Sequence, residues 1–322
     1  MQLFLDPWNP DFSGSLQADS PEEDTPPEVR LDIELREWKT ILPPYDPNVN
    51  FVFVDGVRRI DARVILQNGQ IQYGLLGSVA AGGVAAGRKQ QNAALDVLSN
   101  AVIKRYFITG GGFSFDRTID LPHGFSYEAV SVADAKPQAP LQKLQQLMRD
   151  AEGKVISQFS LGDSDALLVA DGPLHFPWAR ESKAVGYIKS FHQWYLPSSH
   201  IPMLSTLRPG ERTPLFLIHG QGAQFPDRYG WFVRLAAPEA GDSPLSGLAR
   251  LEIACDTGLD HAIRSANRST RLSEFVSKKY RDPRSPQNLV PIGALEKTLK
   301  HLLGDIGIMR RWISAWIRTE QA

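Results

Sequence analysis

The sequence predicts an α/β or mixed α+β protein, with a central mixed β-sheet flanked by helices and a helical C-terminal region. Three observations carry this. Strand-like runs follow one another between residues 49 and 120. A helix-period segment at 141–159 then leads into an apolar strand. Further strands follow, and from residue 257 onward the signal is helical, the pattern of a sheet covered by helices.

The first strand is "VNFVFVD" (49–55). "RRIDARVIL" (58–66) and "IQYGLLGSVAAGG" (71–83) follow, with "QNGQ" as a hairpin turn. "AVIKRYFIT" (101–109) and "GFSFDRTID" (112–120) are two more strands. In "LQKLQQLMRDAEGKVISQF" the residues Leu141, Leu144, Leu147, Met148, Ala151, Val155 and Ile156 recur at helical spacing. The strand 166–170 comes next, then "KAVGYIKSF" (183–191), "TPLFLIHG" (213–220), "RYGWFVRLA" (228–236) and "ARLEIACD" (249–256). "PIGALEKTLKHLL" and the Trp-bearing "MRRWISAWIR" are the last helices. No internal repeat is visible.

Composition excludes several classes. Hydrophobic content of 42% and charged content of 22% are those of a globular protein, and no run approaches a membrane span. "MQLFLDPWNPDF" lacks the basic and apolar regions of an export signal, so the expected location is the cytoplasm. A single cysteine, Cys255, excludes an internal disulfide and a Cys-rich zinc cluster. The net charge of −1 hides an asymmetry: residues 1–30 hold seven acids against Arg30, whereas 261–322 hold twelve Lys/Arg against five acids. A basic C-terminal part fits a polyanionic partner or a solvated helix face. "SLQADSPEEDTPPEVR" (15–30) reads as an exposed acidic connector.

Two motif fragments fail on inspection. "GGVAAGRK" (82–89) has phosphate-loop spacing at Gly82 and Gly87, but Arg88 and Lys89 replace the lysine and hydroxyl such a loop needs. It reads as a Gly/Ala-rich strand end. "PLFLIHGQG" (214–222) looks like an α/β-hydrolase oxyanion strand, yet no G-x-S-x-G elbow exists to supply a nucleophile.

Asp171 sets the functional question. Five apolar residues, Ala166 to Ala170, run into Asp171-Gly172-Pro173, and "VNFVFVD" likewise runs into Asp55-Gly56. Either dipeptide alone reads as a turn. Desolvating a carboxylate is costly, however, and Pro173 removes a donor that a returning strand would need. Glu152 lies on the Met148–Ala151–Val155 flank of the intervening helix. Three acids meeting from two strands and a helix would make an oxygen-ligand site for Mn²⁺ or Mg²⁺, suited to phosphodiester cleavage.

"FVDGVRR", "LMRDAEG" with Arg149 and Glu152, "LLVADGPL" and "AVGYIKS" together resemble the NurA nucleases. These are prokaryotic DNA-end-processing enzymes with an RNase H-like core that work with the hexameric HerA translocase. The resemblance spans residues 49–305 and implies an N-terminal arm over 1–48, a nuclease domain over 49–322 and an insertion at about 70–140. It implies that Asp55, Glu152 and Asp171 bind metal, with Lys189 holding phosphate or neutralising transition-state charge. The family's C-terminal helix commonly opens Pro-Leu-x-x-Ala-His. "PIGALE" keeps Pro291 but has Glu296 where the histidine falls, which makes Glu296 a candidate fourth catalytic carboxylate.

The implied activity is that of a metal-dependent deoxyribonuclease with two Mn²⁺ or Mg²⁺ ions. The resemblance further implies 5′→3′ exonuclease and single-strand endonuclease activity in DNA end resection and double-strand break repair. The implied assembly is a homodimer docked on a HerA-like ATPase, with no membrane role. Arg58, Arg264, Arg268, Arg271, Lys278, Lys279 and Arg281 are the candidate DNA contacts. Tyr280, Trp312 and Trp316 are candidate base-stackers, although two tryptophans at i and i+4 also suit a core. The rival reading is an RNase H-like DNA-binding or adaptor subunit of an ATPase complex with weak catalysis, kept open by Glu296.

Overall fold

Strand β2 (Phe51–Asn68) is 18 residues long and β3 (Gln70–Ala86) is 17, and both run through two compact units of the chain. The computed structural model describes residues 28–68, 70–86, 93–115, 118–160, 165–174, 182–189, 194–220, 226–277 and 287–320. One unit draws on the described residues up to Val54, Val84–Ala93 and Ile156–Ala294; the other on Asp55–Gly83, Ala94–Val155 and Leu295 onward. Both contain a mixed sheet and helices, in keeping with the mixture of strand and helix signals in the sequence.

In the first unit the strand order is β1 (Val29–Arg30), β9 (Phe216–Ile218), β10 (Arg228–Arg234), β11 (Leu248–Ala254), β8 (Val185–Ile188), β7 (Leu167–Asp171) and the start of β2. Pairing is antiparallel from β1 to β8 and parallel from β8 through β7 to β2. All seven residues of β11 are buried, so it reads as a continuous apolar run interrupted by Arg250 and Glu252. Helix α4 (Leu259–Ser269) and the 3₁₀ turns after it cover one face. Trp231 Nε1 donates to Ser269 Oγ at 3.0 Å, and Phe275 stands edge-on to Phe51 and Phe53. A second cluster gathers Leu204 of α3 (Ile201–Thr206) with Phe216, Phe232 and Leu248. The N-terminal segment is tied here by Arg212, which donates to Glu34 Oε1 and Oε2 at 2.6 and 2.8 Å.

In the second unit the order is β2, β3, β4 (Val102–Thr109), β6 (Ser126–Ser131) and β5 (Ile119–Asp120). Alternation decides the two faces. Leu75 and Val79 pack with Leu144 and Met148 of α2 (Ala139–Ser160), while Leu76 packs with Met309 and Ile313 of α6 (Ile306–Glu320). Trp312 and Trp316 join that second core, so they are packing residues rather than exposed platforms for bases. Helix α1 (Ala93–Asn100) precedes β4, and α5 (Val290–Leu302) precedes α6.

Several elements differ from the sequence reading. The strand expected to stop at Asp55 continues through Asp55-Gly56 to Asn68, joining two predicted strands into one. The strand expected over 112–120 is reduced to Ile119–Asp120, because Gly111 and Gly112 at φ +69° and +73° turn the chain out of β4. Helices α1 and α3, and strand β6, have no counterpart among the predicted elements. Among the described residues, no helix is long and apolar enough to cross a membrane.

Candidate active-site carboxylates

The parallel ladder of the first unit brings β2 and β7 into register from Phe51↔Leu167 to Val54↔Ala170. Asp171 follows next in β7. Asp171 also pairs in parallel with Tyr187 on β8. Beyond it the backbone turns at Gly172, φ +97°, which glycine adopts without a Cβ penalty. Gly172 N donates to Tyr187 O at 2.8 Å, and Leu174 N donates to the buried Glu252 Oε1 at 2.9 Å. The chain thus folds across Gly186, where a Cβ would come within 2.9 Å of Gly172 O. Among the described residues β7 forms parallel ladders with β2 and β8 and no hairpin, in keeping with Pro173.

Lys189 follows β8, two residues after Tyr187, and its Nζ donates to Asp171 Oδ2 at 2.8 Å. The two side chains are 15% and 20% exposed, so the pair is largely desolvated. Asp171 Oδ1 is buried and accepts no hydrogen bond among the described residues. Such an acceptor costs about 1–3 kcal/mol, or more when charged. Trp38 Nε1 and Ser182 Oγ of the same unit are likewise buried without a partner among the described residues, but Asp171 Oδ1 is the carboxylate oxygen at the end of β7. Tyr187 is fully buried beside it, with its hydroxyl donating to Gln287 O at 2.6 Å. Burial, and secondarily the Asp171 charge, push its phenol well above the usual range.

In the second unit Asp55 is 8% exposed, and its Oδ1 accepts Gly56 N at 2.8 Å. The next residue, Gly56, passes beneath Glu152 of α2, where a Cβ would stand 2.8 Å from Glu152 Cγ and 2.9 Å from Cδ. Arg58 Nε donates to Gln145 Oε1, two helical turns before Glu152. Asp55-Gly56 is therefore no turn; the glycine opens the space that Glu152 fills.

Glu296 on α5 is half-exposed and accepts Lys300 Nζ at 2.6 Å, an i,i+4 surface pair. Arg264 is exposed on α4. Arg268 makes a two-pronged bond to Asp165 at 2.8 and 2.8 Å, and Arg271 another to Glu274 at 2.7 and 2.8 Å, with Tyr45 5.0 Å beneath its guanidinium. These two cations already hold carboxylates. Lys278, Lys279, Tyr280 and Arg281 lie outside the described residues. Among those described, no three His, Cys, Asp or Glu side chains are gathered into a ready cation cage.

The phosphate-loop look-alike is explained by packing. Gly82 and Gly83 sit inside β3, Asn100 bonds both Gly83 N and O at 2.7 and 3.0 Å, and Leu299 lies 3.1 Å from where a Gly82 Cβ would be. Sequence reasoning missed Tyr187 and Glu252 as the groups that brace the end of β7. The tyrosine two residues before Lys189 was the available signal, since alternate strand positions share a face.

No family model and no curated protein sequence matches the chain. Among solved structures, it is similar to the crystal structure of the NurA nuclease from Sulfolobus solfataricus, at 12% identity and a TM-score of 0.43. That match covers 88% of this chain and 86% of that one.

Proposed function

We propose that this protein is a metal-dependent deoxyribonuclease of the NurA kind. The observation that carries the reading is Asp171: one oxygen is held by Lys189, and the other is buried without a hydrogen-bond donor among the described residues. A hard oxygen in that state suits a divalent cation. Gly56 adds support, because its missing side chain lets Glu152 approach the backbone immediately after Asp55.

Asp55, Glu152 and Asp171 are the residues that would hold Mn²⁺ or Mg²⁺, two ions in the full reading. Bound there, the metal supplies Lewis acidity for attack on the phosphodiester and charge neutralisation for the departing oxygen. The chain's own contribution is to fix the carboxylates: Asp55 by its bond to Gly56 N, Asp171 by Lys189. Glu296 belongs to this reading as an outlying carboxylate that must leave Lys300 to take part. For DNA, the proposed phosphate contacts are Arg58, Arg264, Arg268 and Arg271 among the described residues, of which Arg264 is exposed, with Lys278, Lys279 and Arg281 completing the set.

The motif resemblance supports the finer reading as well: 5′→3′ exonuclease and single-strand endonuclease activity in DNA end resection, as a homodimer working in the cytoplasm with a HerA-like hexameric ATPase. The deciding experiment is plasmid nicking in Mn²⁺ by wild type, Asp55→Asn and Asp171→Asn. Loss of a ligand worth several kcal/mol in the transition state should slow cleavage at least about a hundredfold. Equal rates in all three proteins would leave a DNA-binding or adaptor role.

A further inference from the structure

We propose that Lys189 is a positioning residue for Asp171 and does not touch the nucleic-acid phosphate. This rests on the nuclease reading above and departs from the role that the sequence resemblance implies for the lysine. Lys189 Nζ is 2.8 Å from Asp171 Oδ2, and the pair is only 15% and 20% exposed. An ammonium with that partner and that little water around it is committed to the carboxylate, because releasing it would strand two desolvated charges.

The strand geometry fixes the pairing from both sides. Asp171 is in register with Tyr187, and Lys189 is two residues further on, so its side chain emerges on the same face as Tyr187. The Gly172 N bond to Tyr187 O locks the backbone at Asp171 itself. Lys189 thereby takes Oδ2 and leaves Oδ1, buried and without a donor among the described residues, as the one oxygen that Asp171 offers to a divalent cation. Asp171 is then a one-oxygen ligand by construction, and Lys189 is what enforces it.

Two measurements on the full-length protein test this. The first is Mn²⁺ binding to the metal-free protein by titration calorimetry, for wild type, Lys189→Met, Lys189→Arg and Asp171→Asn. Removing the ammonium frees the second oxygen and removes a repelling charge, so Lys189→Met should bind Mn²⁺ at least about threefold more tightly. Lys189→Arg, which can still hold Oδ2, should remain within about twofold of wild type. The second is DNA binding without divalent ions across a salt series. Removing a cation that neutralises a phosphate would lower the slope of log affinity against log salt by about one, whereas removing a positioning residue leaves it unchanged. The expected result is altered Mn²⁺ binding with an unaltered salt slope. Unaltered Mn²⁺ binding in Lys189→Met, or a reduced salt slope, overturns the proposal. If Asp171→Asn binds Mn²⁺ as wild type does, the nuclease reading falls and takes this one with it.

Discussion

Glu152 occupies the space that a side chain at position 56 would need: a Cβ on Gly56 would lie 2.8 Å from Glu152 Cγ. Gly56→Ala must therefore push Glu152 aside, and overpacking of this sort costs about 1–3 kcal/mol. The expected outcome is a modest fall in the urea midpoint and, on the proposed nuclease function, a loss of Mn²⁺-dependent cleavage on the order of a hundredfold, the usual consequence of shifting a reacting group by about 1 Å. Gly56→Ala with full activity would mean that Glu152 has no part in the chemistry.

Asp61 is expected to be a stability residue alone. It is fully buried in the second unit, where it accepts from Arg59 Nε at 2.7 Å, from Tyr127 Oη at 2.8 Å and from Ser78 Oγ. Arg59 in turn donates to Leu303 O at 3.0 Å and to Gly304 O, capping α5. Removing one partner of such a network strands the others, so Asp61→Ala should cost about 3–5 kcal/mol in urea unfolding, with an unchanged m-value.

His261 gives the protein a pH dependence on the acid side of neutrality. Burial, and then the charges of Lys183, Arg264 and Arg268, hold its imidazole below the usual 6.5. The unfolded chain then binds the proton more readily, so stability is complete above pH 6.5 and falls as pH drops from there towards the folded value. Asp165, held low by Arg268, acts at a more acidic pH. The thermal midpoint should decline between about pH 7 and 5.5, and His261→Gln should flatten that decline.

Cys255 should be inert. Burial, and next the Asp227 charge, push its thiol up to about 12. Only the thiolate reacts, so alkylation by iodoacetamide at about pH 8 should be roughly a thousandfold slower in the native protein than in urea. Rapid native labelling, followed by mass spectrometry, would contradict this assignment.

Much of the sheet was legible because burial writes itself into composition. The apolar run into Asp171, the helical period of α2 and the strands around Trp231 and Leu251 all appear where periodicity places them. The continuation of β2 through Asp55-Gly56 was illegible, since Asp-Gly is a turn signal and the reason for the glycine is a helix nearly a hundred residues away. The ion pair of Arg268 with Asp165, 103 positions distant, is likewise a partnership that no local charge count reveals. At the candidate site, motif order names Asp171 and Lys189 but is silent on how the two share the carboxylate oxygens.

The chain changes unit at Val54–Asp55, Gly83–Val84, Ala93–Ala94, Val155–Ile156 and Ala294–Leu295. Neither unit is thus a continuous stretch of gene. No truncation can yield one without severing the other, and recombination cannot import either as a ready-made module. Asp55 and Asp171 fall on opposite sides of that division, yet they are inherited together, as parts of an indivisible coding sequence.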